Sequence, residues 1–216
     1  MSSVSKKRRL YVEGKDDEKT IEHLLRRHGI NCDAKSEIHP EIKPITGNST
    51  MLALMREAIK NSRPEPVGFV IDADSPLKSR WDAVRGRLNN VGVADLPKSP
   101  PAEGFIGRTE EFKTDVGIWL MPDNQQDGKL ETFLLTLVDE NDALIGHAET
   151  ATSTAKELGA EFSKPDTEKA VLHTWLAWQK EPGKPYGLAL THKFFGHDSH
   201  AANTFVAWFK RLYDIA

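Results

Sequence analysis

The sequence predicts an α/β fold, a Rossmann-like and mostly parallel sheet flanked by helices, with a helical carboxy-terminal portion. Short apolar runs alternate with segments of helical periodicity as far as about residue 140. Residues 67–71 are apolar throughout, which is typical of a strand covered on both faces. Only helical patterns follow residue 141. We therefore expect an α/β domain at residues 1–140 and a helical extension, packed on it, at residues 141–216.

The individual elements follow from apolar spacing and from glycine and proline punctuation. Strands are predicted at residues 9–13, 42–46, 67–71, 104–108 and 116–121. Apolar positions of helical spacing lie within residues 16–28, 51–59, 77–88, 130–138, 166–179 and 199–213. Ser75 is expected to cap the third helix, with Pro76 as its first residue. The aromatic side chains of the last two helices have helical spacing, which favours core packing over stacking on nucleotide bases.

Composition and charge indicate an ordinary soluble protein. The chain has 216 residues, 38% hydrophobic and 28% charged, with a formal net charge of −3. This charge gives no global footprint for nucleic acid, so such a contact would depend on a local basic patch, Lys6-Lys7-Arg8-Arg9. A solvated strand edge is the simpler interpretation of that patch. No apolar run is long enough to span a bilayer and no signal peptide is evident, so we expect a cytoplasmic protein without membrane contact.

Carboxylates follow two of the predicted strands. Glu13 ends the first strand, and Asp72 and Asp74 end the strand at residues 67–71. Carboxyl ends of parallel strands meet at one edge of a sheet, and residues two apart in an extended strand point the same way. We therefore expect these three side chains to share one site. The alternative is that the acids are solvated or favour the start of the following helix through its dipole.

A shared acidic site would call for a cation. Three neighbouring carboxylates raise at least one pKa unless a positive charge neutralises them. Oxygen ligands favour Mg²⁺ or Mn²⁺, and such ions commonly serve phosphoryl transfer or phosphodiester cleavage. The sequence alone therefore predicts a metal-dependent phosphate chemistry at this edge.

The order of these motifs resembles that of the Toprim domain, the metal-binding catalytic fold of topoisomerases, primases and OLD-family nucleases. The stretch from Val12 to Asp17 is similar to its Glu-Gly-x-x-Asp signature, and Asp72-Ala73-Asp74 is similar to its Asp-x-Asp. Gly47 falls where Toprim domains often have a glycine turn. The stretches 119–124, 128–131 and 175–179 resemble a narrower, stand-alone Toprim-like family of unknown function, DUF3226.

The resemblance implies a role for each matching residue. Glu13 would act as general acid or base or as a metal ligand, and Asp72 and Asp74 would hold Mg²⁺ or Mn²⁺. Asp17, at the last acidic position of the signature, would support Glu13 or the helix start and is a further candidate metal ligand. Glu131, at the start of a predicted helix, is a further candidate ligand, although a helix-dipole role is as good an interpretation. The candidates for phosphate binding are Gly14, Lys15 and Gly47.

The implied activity is phosphodiester cleavage in DNA or RNA, as in a nuclease. No tyrosine has the setting of a topoisomerase nucleophile, and no zinc module of a primase is present. OLD nucleases usually carry an ATPase, but this chain has no Gly-x-x-x-x-Gly-Lys-[Ser/Thr], so an ATPase would be a separate partner.

Three alternatives stay open. The chain could be a catalytically silent scaffold that binds a partner protein, or a metal-dependent phosphatase with an Asp-x-Asp nucleophile. A second metal site could also form from His192, His197, Asp198 and His200.

Overall fold

The structure is a computed structural model that describes residues 8–33, 36, 38–45 and 48–216. Lys6, Lys7 and Gly47, which the sequence singled out, lie outside the described residues.

The chain forms a mixed, mostly parallel sheet of five strands. The strands are β1 Arg9–Val12, β2 Glu41–Pro44, β3 Val67–Asp72, β4 Phe105–Arg108 and β5 Asp115–Met121. Their order across the sheet is β2-β1-β3-β5-β4, in which only β4 runs antiparallel to its neighbour. The predicted α/β fold class is therefore confirmed. One consequence matters for function: β1, β3 and β5 are adjacent and end at the same edge.

The described part of the chain contains eight α-helices. These are α1 Lys15–Arg27, α2 Asn48–Ser62, α3 Leu77–Asn89, α4 Leu130–Leu135, α5 Ala143–Glu157, α6 Thr167–Ala177, α7 Tyr186–Thr191 and α8 His200–Tyr213. A 3₁₀ turn, Lys164–Asp166, precedes α6. The sequence missed α5 and α7, whose short or alanine- and threonine-rich sequences carry a weak apolar pattern. None of these helices, within the ranges described, is long and apolar enough to span a membrane.

Several helix boundaries differ from the sequence-based expectation; α4, for example, ends at Leu135 and not at Val138. Pro76 is the N-cap of α3 and not its first residue, and the Ser75 hydroxyl donates to Asp127 (2.7 Å) instead of capping the helix. Helix α6 ends at Ala177, so Trp178 lies beyond its buried face and is 40% exposed. Its indole stacks on His147 with ring centroids 5.1 Å apart.

The sheet separates two hydrophobic clusters, because successive side chains of a strand point to opposite faces. Val70 of β3 and Trp119 of β5 lie on the face that packs against α1, α4 and the helices after residue 141. Phe69 and Ile118, one position away on the same strands, face α2 and α3. Residues from both sides of position 141 thus belong to one continuous cluster.

Helix α8 lies directly on the sheet and supplies much of that cluster. Its aromatic side chains Phe205, Trp208, Phe209 and Tyr213 are all fully buried. The Trp208 indole N–H donates to the Phe105 carbonyl (3.1 Å), and the Tyr213 hydroxyl donates to the Arg9 carbonyl (2.6 Å). Core packing, rather than base stacking, is therefore the role of these aromatic residues.

Candidate functional site

The predicted acidic residues meet at the edge where β1, β3 and β5 end. Glu13 directly follows β1, and Asp72 is the last residue of β3. Glu131 is the second residue of α4, which the chain enters after β5 and a turn-rich loop. Asp17 lies in the first turn of α1, just after Glu13. Glu13, Asp17 and Glu131 are each less than 10% exposed.

Backbone N–H groups hold three of these carboxylates in place. The Asp72 N–H donates to Glu13 Oε1, the Leu130 N–H to Asp72 Oδ1, and the Gly14 N–H to Asp17 Oδ2, each at 3.1 Å. Glu13 is thus tied to β3, and Asp72 to the start of α4. The three segments therefore form one hydrogen-bonded unit.

Asp74 takes a different position from the one expected. Strand β3 ends at Asp72, and Asp74 has φ of 53°, in the left-handed region, so the two aspartates do not alternate along one extended strand. The prediction of alternation is wrong because the chain turns here to pair with Gly128, exchanging backbone hydrogen bonds of 2.8 and 3.0 Å. The Asp74 carboxylate accepts a hydrogen bond from the Arg80 guanidinium. Its charge nevertheless acts on both Glu13 and Asp72.

Burial and mutual repulsion keep these carboxyls from ionising easily. Burial raises the pKa of Glu13 to about 8, with the charges of Asp17 and Asp74 adding to the effect. Burial raises the pKa of Asp72 to about 9, and the charges of Asp17, Glu13, Asp74 and Glu131 raise it further. The pKa of Asp17 rises to about 6, through burial and then the charge of Glu131. All five acidic candidates therefore belong to one electrostatically coupled group.

Two lysines surround the fifth member of this group. The Lys129 ammonium lies 3.6 Å from Glu131 Oε2, and the Lys169 ammonium lies 4.0 Å from Oε1. Lys169 belongs to α6, so the portion after residue 141 reaches the acidic site. Lys129 also approaches Asp166, at 3.9 Å.

The donor set suits a hard divalent cation, since it consists of carboxylate oxygens with excess negative charge. As they stand, however, the described residues include no group of three or more His, Cys, Asp or Glu side chains that could hold a metal ion. Binding would therefore require at least one side-chain rotation, for which Asp74, exposed and held by Arg80, is the obvious candidate.

The phosphate-binding candidates are placed as follows. The Gly14 N–H already donates to Asp17, and a Cβ at Gly14 would lie 3.1 Å from that carboxylate. The Lys15 side chain is exposed and its ammonium pairs with Glu18 at 2.7 Å. Gly47 lies outside the described residues. A phosphate-binding role for these residues stays a prediction.

Sequence reasoning missed the basic residues of the site. Arg80 is largely buried in the first turn of α3, six residues after Asp74, and its charge lowers the pKa of Glu13. The sequence signal was a basic residue one turn into the helix that follows the Asp-x-Asp. Lys129 immediately precedes the Leu130-Glu131 pair, but nothing in the sequence brings Lys169 next to Glu131.

The other candidate surfaces have different contacts. Arg8 pairs with Glu65 at 3.3 Å, and Arg9 with Glu41 at 3.8 Å, at the beginning of β1 and away from the acidic edge. His192 pairs with Glu181 at 3.0 Å. Each of these side chains has a structural partner in the fold, so neither the described part of the basic patch nor His192 adds to the acidic site.

Comparison with known proteins gives one match. The family described as "Protein of unknown function (DUF3226)" matches residues 7–214. No curated protein and no solved structure matches the chain.

Proposed function

This chain belongs to the DUF3226 family, and we propose that its acidic site binds Mg²⁺ or Mn²⁺ and cleaves phosphodiester bonds in DNA or RNA, in the manner of a Toprim nuclease. The family description names no activity, so the proposal depends on the residues themselves.

One observation carries the proposal: five carboxylates from three chain segments converge, and three of them have pKa values raised by burial and by neighbouring negative charges. Clustering of buried like charges costs folding free energy. Functional sites commonly tolerate such a cost because the perturbed groups carry the chemistry. A bound cation would remove the repulsion.

The residues divide the chemistry between them. Asp72 and Asp74, with Glu13, would hold the cation, and Asp17 and Glu131 would add negative charge around it. The bound cation would supply a Lewis acid that polarises the scissile phosphate. Glu13 has a pKa of about 8, which suits a residue that gives or takes a proton near neutral pH. Its carboxylate is oriented by the Asp72 N–H.

The basic residues fit an anionic substrate. Arg80 lies beside Asp74, and Lys129 and Lys169 lie beside Glu131. Their positive charges offset the acidic cluster, so a phosphate approaching the site would meet cations as well as carboxylates. The net charge of −3 makes this local compensation necessary for binding a polyanion.

The test is cleavage of DNA and RNA panels in Mg²⁺ or Mn²⁺ by the wild type, Glu13→Gln and Asp72→Asn. We expect both variants to lose cleavage while remaining folded. Glu110→Gln is the matched control, because Glu110 is exposed and its carboxylate pairs with Lys113 (2.6 Å), away from the acidic site.

Two results would contradict the proposal. Equal cleavage by all variants would point to a contaminating nuclease, and absence of both cleavage and cation binding in folded wild type would favour the scaffold alternative. An ATPase partner stays a prediction, which co-purification from the native host would test.

A further inference from the structure

Tyr186 carries a buried hydroxyl that the fold does not explain. It is the first residue of α7, its side chain is 2% exposed, and its hydroxyl has no hydrogen-bond partner among the described residues. Buried tyrosine hydroxyls ordinarily find a partner, because an unpaired polar group away from water is costly. The hydroxyl is therefore kept despite a cost in stability.

The hydroxyl lies within electrostatic range of the acidic site. Burial raises the pKa of Tyr186, and the carboxylates of Glu131 and Asp16 raise it further. The tyrosine ring stacks on His173 of α6, with ring centroids 5.2 Å apart. His173 lies one turn beyond Lys169, whose ammonium is 4.0 Å from Glu131.

Close packing fixes the orientation of this ring. Helix α7 presses against α1, where a Cβ at Gly187 would lie only 2.8 Å from the Lys19 carbonyl oxygen. The His173 ring covers one face of the tyrosine at an interplanar angle of 27°. With its ring held on these sides, Tyr186 has little freedom to turn its hydroxyl toward another partner.

The groups around Glu131 are mostly hydrogen-bond donors. The ammonium groups of Lys129 and Lys169 lie 3.6 and 4.0 Å from the buried Glu131 carboxylate. The charge of Glu131 also acts on the Tyr186 hydroxyl, which makes no hydrogen bond among the described residues. An ammonium has three donors and no acceptor, so this group has more donors than Glu131 can satisfy. Phosphate oxygens are acceptors that bind both lysine and hydroxyl donors.

We infer that Lys169 and the Tyr186 hydroxyl form a phosphate-binding edge of the acidic site, contributed by the helices after residue 141. The inference rests on the proposed function for the identity of the phosphate, which would be a phosphodiester of the nucleic-acid substrate. It also gives those helices a role in recognition.

Tyr186→Phe is the decisive variant, because it removes the hydroxyl and keeps the ring. Binding is measured by isothermal titration of the full chain with inorganic phosphate in the presence of MgCl₂, and separately with MgCl₂ alone. We expect the phosphate Kd to rise about tenfold or more, as for the loss of a hydrogen bond to a charged acceptor, and the Mg²⁺ affinity to be unchanged. The thermal midpoint of the ligand-free variant should equal or exceed that of the wild type, because an unpaired buried hydroxyl has been removed.

Tyr213→Phe is the matched control. Tyr213 is also buried, but its hydroxyl donates to the Arg9 carbonyl at the opposite end of the sheet. This variant should lower the thermal midpoint and leave phosphate binding unchanged. Lys169→Gln should weaken phosphate binding and reduce its dependence on salt.

The outcomes separate the inference from the proposed function. Equal phosphate affinity in wild type and Tyr186→Phe, or no phosphate binding by the wild type, would overturn the inference. A wild type that binds phosphate through Tyr186 but cleaves no nucleic acid would refute the nuclease and leave the phosphate-binding edge standing.

Discussion

Asp72 is the residue on which the site depends most. Its backbone N–H orients Glu13, and its own carboxylate accepts from the Leu130 N–H. Its pKa is raised to about 9 by burial and by the other four acidic residues. In the absence of a cation, Asp72 is therefore protonated at neutral pH, and a bound cation would have to displace that proton.

Asp72→Asn tests this charge directly. Asparagine keeps the oxygen that accepts from Leu130 and imitates the protonated acid. We expect the variant to be more stable than the cation-free wild type by about 1–3 kcal/mol at pH 8, because the wild type must take up a proton on Asp72 when it folds at that pH and asparagine need not. Urea denaturation in EDTA measures the difference. A less stable variant at pH 8 would show that ionised Asp72 is already compensated.

The pH dependence of stability should carry the same sign. The folded pKa values of Asp17, Glu13 and Asp72 are about 6, 8 and 9, above the ordinary values of 3.8, 4.5 and 3.8. Between the ordinary and the folded pKa of each group, the folded protein binds more protons than the unfolded chain does. The free energy of unfolding therefore falls as pH rises from about 4 to about 9. Below about pH 4 these three carboxyls are protonated in both the folded and the unfolded form, so they add no further pH dependence to the free energy of unfolding.

Saturating Mg²⁺ should flatten that slope, because the cation replaces the protons. Thermal denaturation across this pH range, with EDTA or with MgCl₂, measures the effect. Identical slopes in both conditions would argue against cation binding at the acidic site.

The sequence indicated the acidic residues of the site but not the basic residues that pair with them. Strand ends and the Glu-Gly-x-x-Asp and Asp-x-Asp spacings are local patterns, and they led to Glu13 and Asp72. The Asp74–Arg80 pair depends on a left-handed residue, and aspartate in that conformation has no reliable sequence signal. The Lys169–Glu131 contact joins residues that are far apart in the sequence and depends on tertiary packing.

Among the elements, α8 packs very closely against the chain that leads into β4. Gly104 precedes β4 with φ of +81°, and a Cβ there would lie 2.3 Å from Trp208 Cδ1. The indole cannot easily move away, since its N–H donates to the Phe105 carbonyl and its ring packs on Trp119 and Phe205.

Gly104→Ala should therefore destabilise the protein through both backbone strain and displacement of α8, by about 3 kcal/mol in total. Gly29→Ala is the matched control, because Gly29 also has φ of +81° but a Cβ there would meet nothing within 4 Å. It should cost only about 1–2 kcal/mol, the strain of a left-handed alanine. Chemical denaturation of both variants gives the comparison, and equal losses would mean that α8 adjusts freely.

The elements that sequence reasoning missed have a common physical cause. Helix α5 buries only Ala148 and Thr152, so it has no broad apolar stripe to detect. Helix α7 is six residues long and follows the Pro182–Pro185 loop. Both are held by neighbours, α5 by α6 and α7 by α1, and such packing is invisible in a local window. The strongly periodic α1 and α8 were predicted within one or two residues of their observed ends.

In the whole molecule, the sheet and the later helices share one core. Trp119 of β5 contacts Phe205 and Trp208 of α8, with ring centroids 5.3 and 5.7 Å apart. Phe133 of α4 lies against Phe205 at 6.3 Å. Alternating strands and helices were enough to predict the fold class. The packing of the later helices on the α/β domain was expected, but the pattern alone could not identify the side chains that meet in this core, because periodicity shows that a helix has an apolar face but not what covers it.

Because the core crosses residue 140, neither fragment made by cutting the chain there should keep it intact. A fragment of residues 1–140 would expose Leu10, Trp119 and Phe133, whose neighbours in the core come partly from α8. An apolar surface of this kind is costly in water, at about 25 cal/mol per Å². We therefore expect the fragment to lack a cooperative thermal transition in circular dichroism and to aggregate. Addition of a fragment of residues 141–216 should restore the transition, because it supplies the missing face. A cooperative transition in the first fragment alone would mean that the later helices are an appendage, and that Lys169 and Tyr186 reach the acidic site from a separately folded unit.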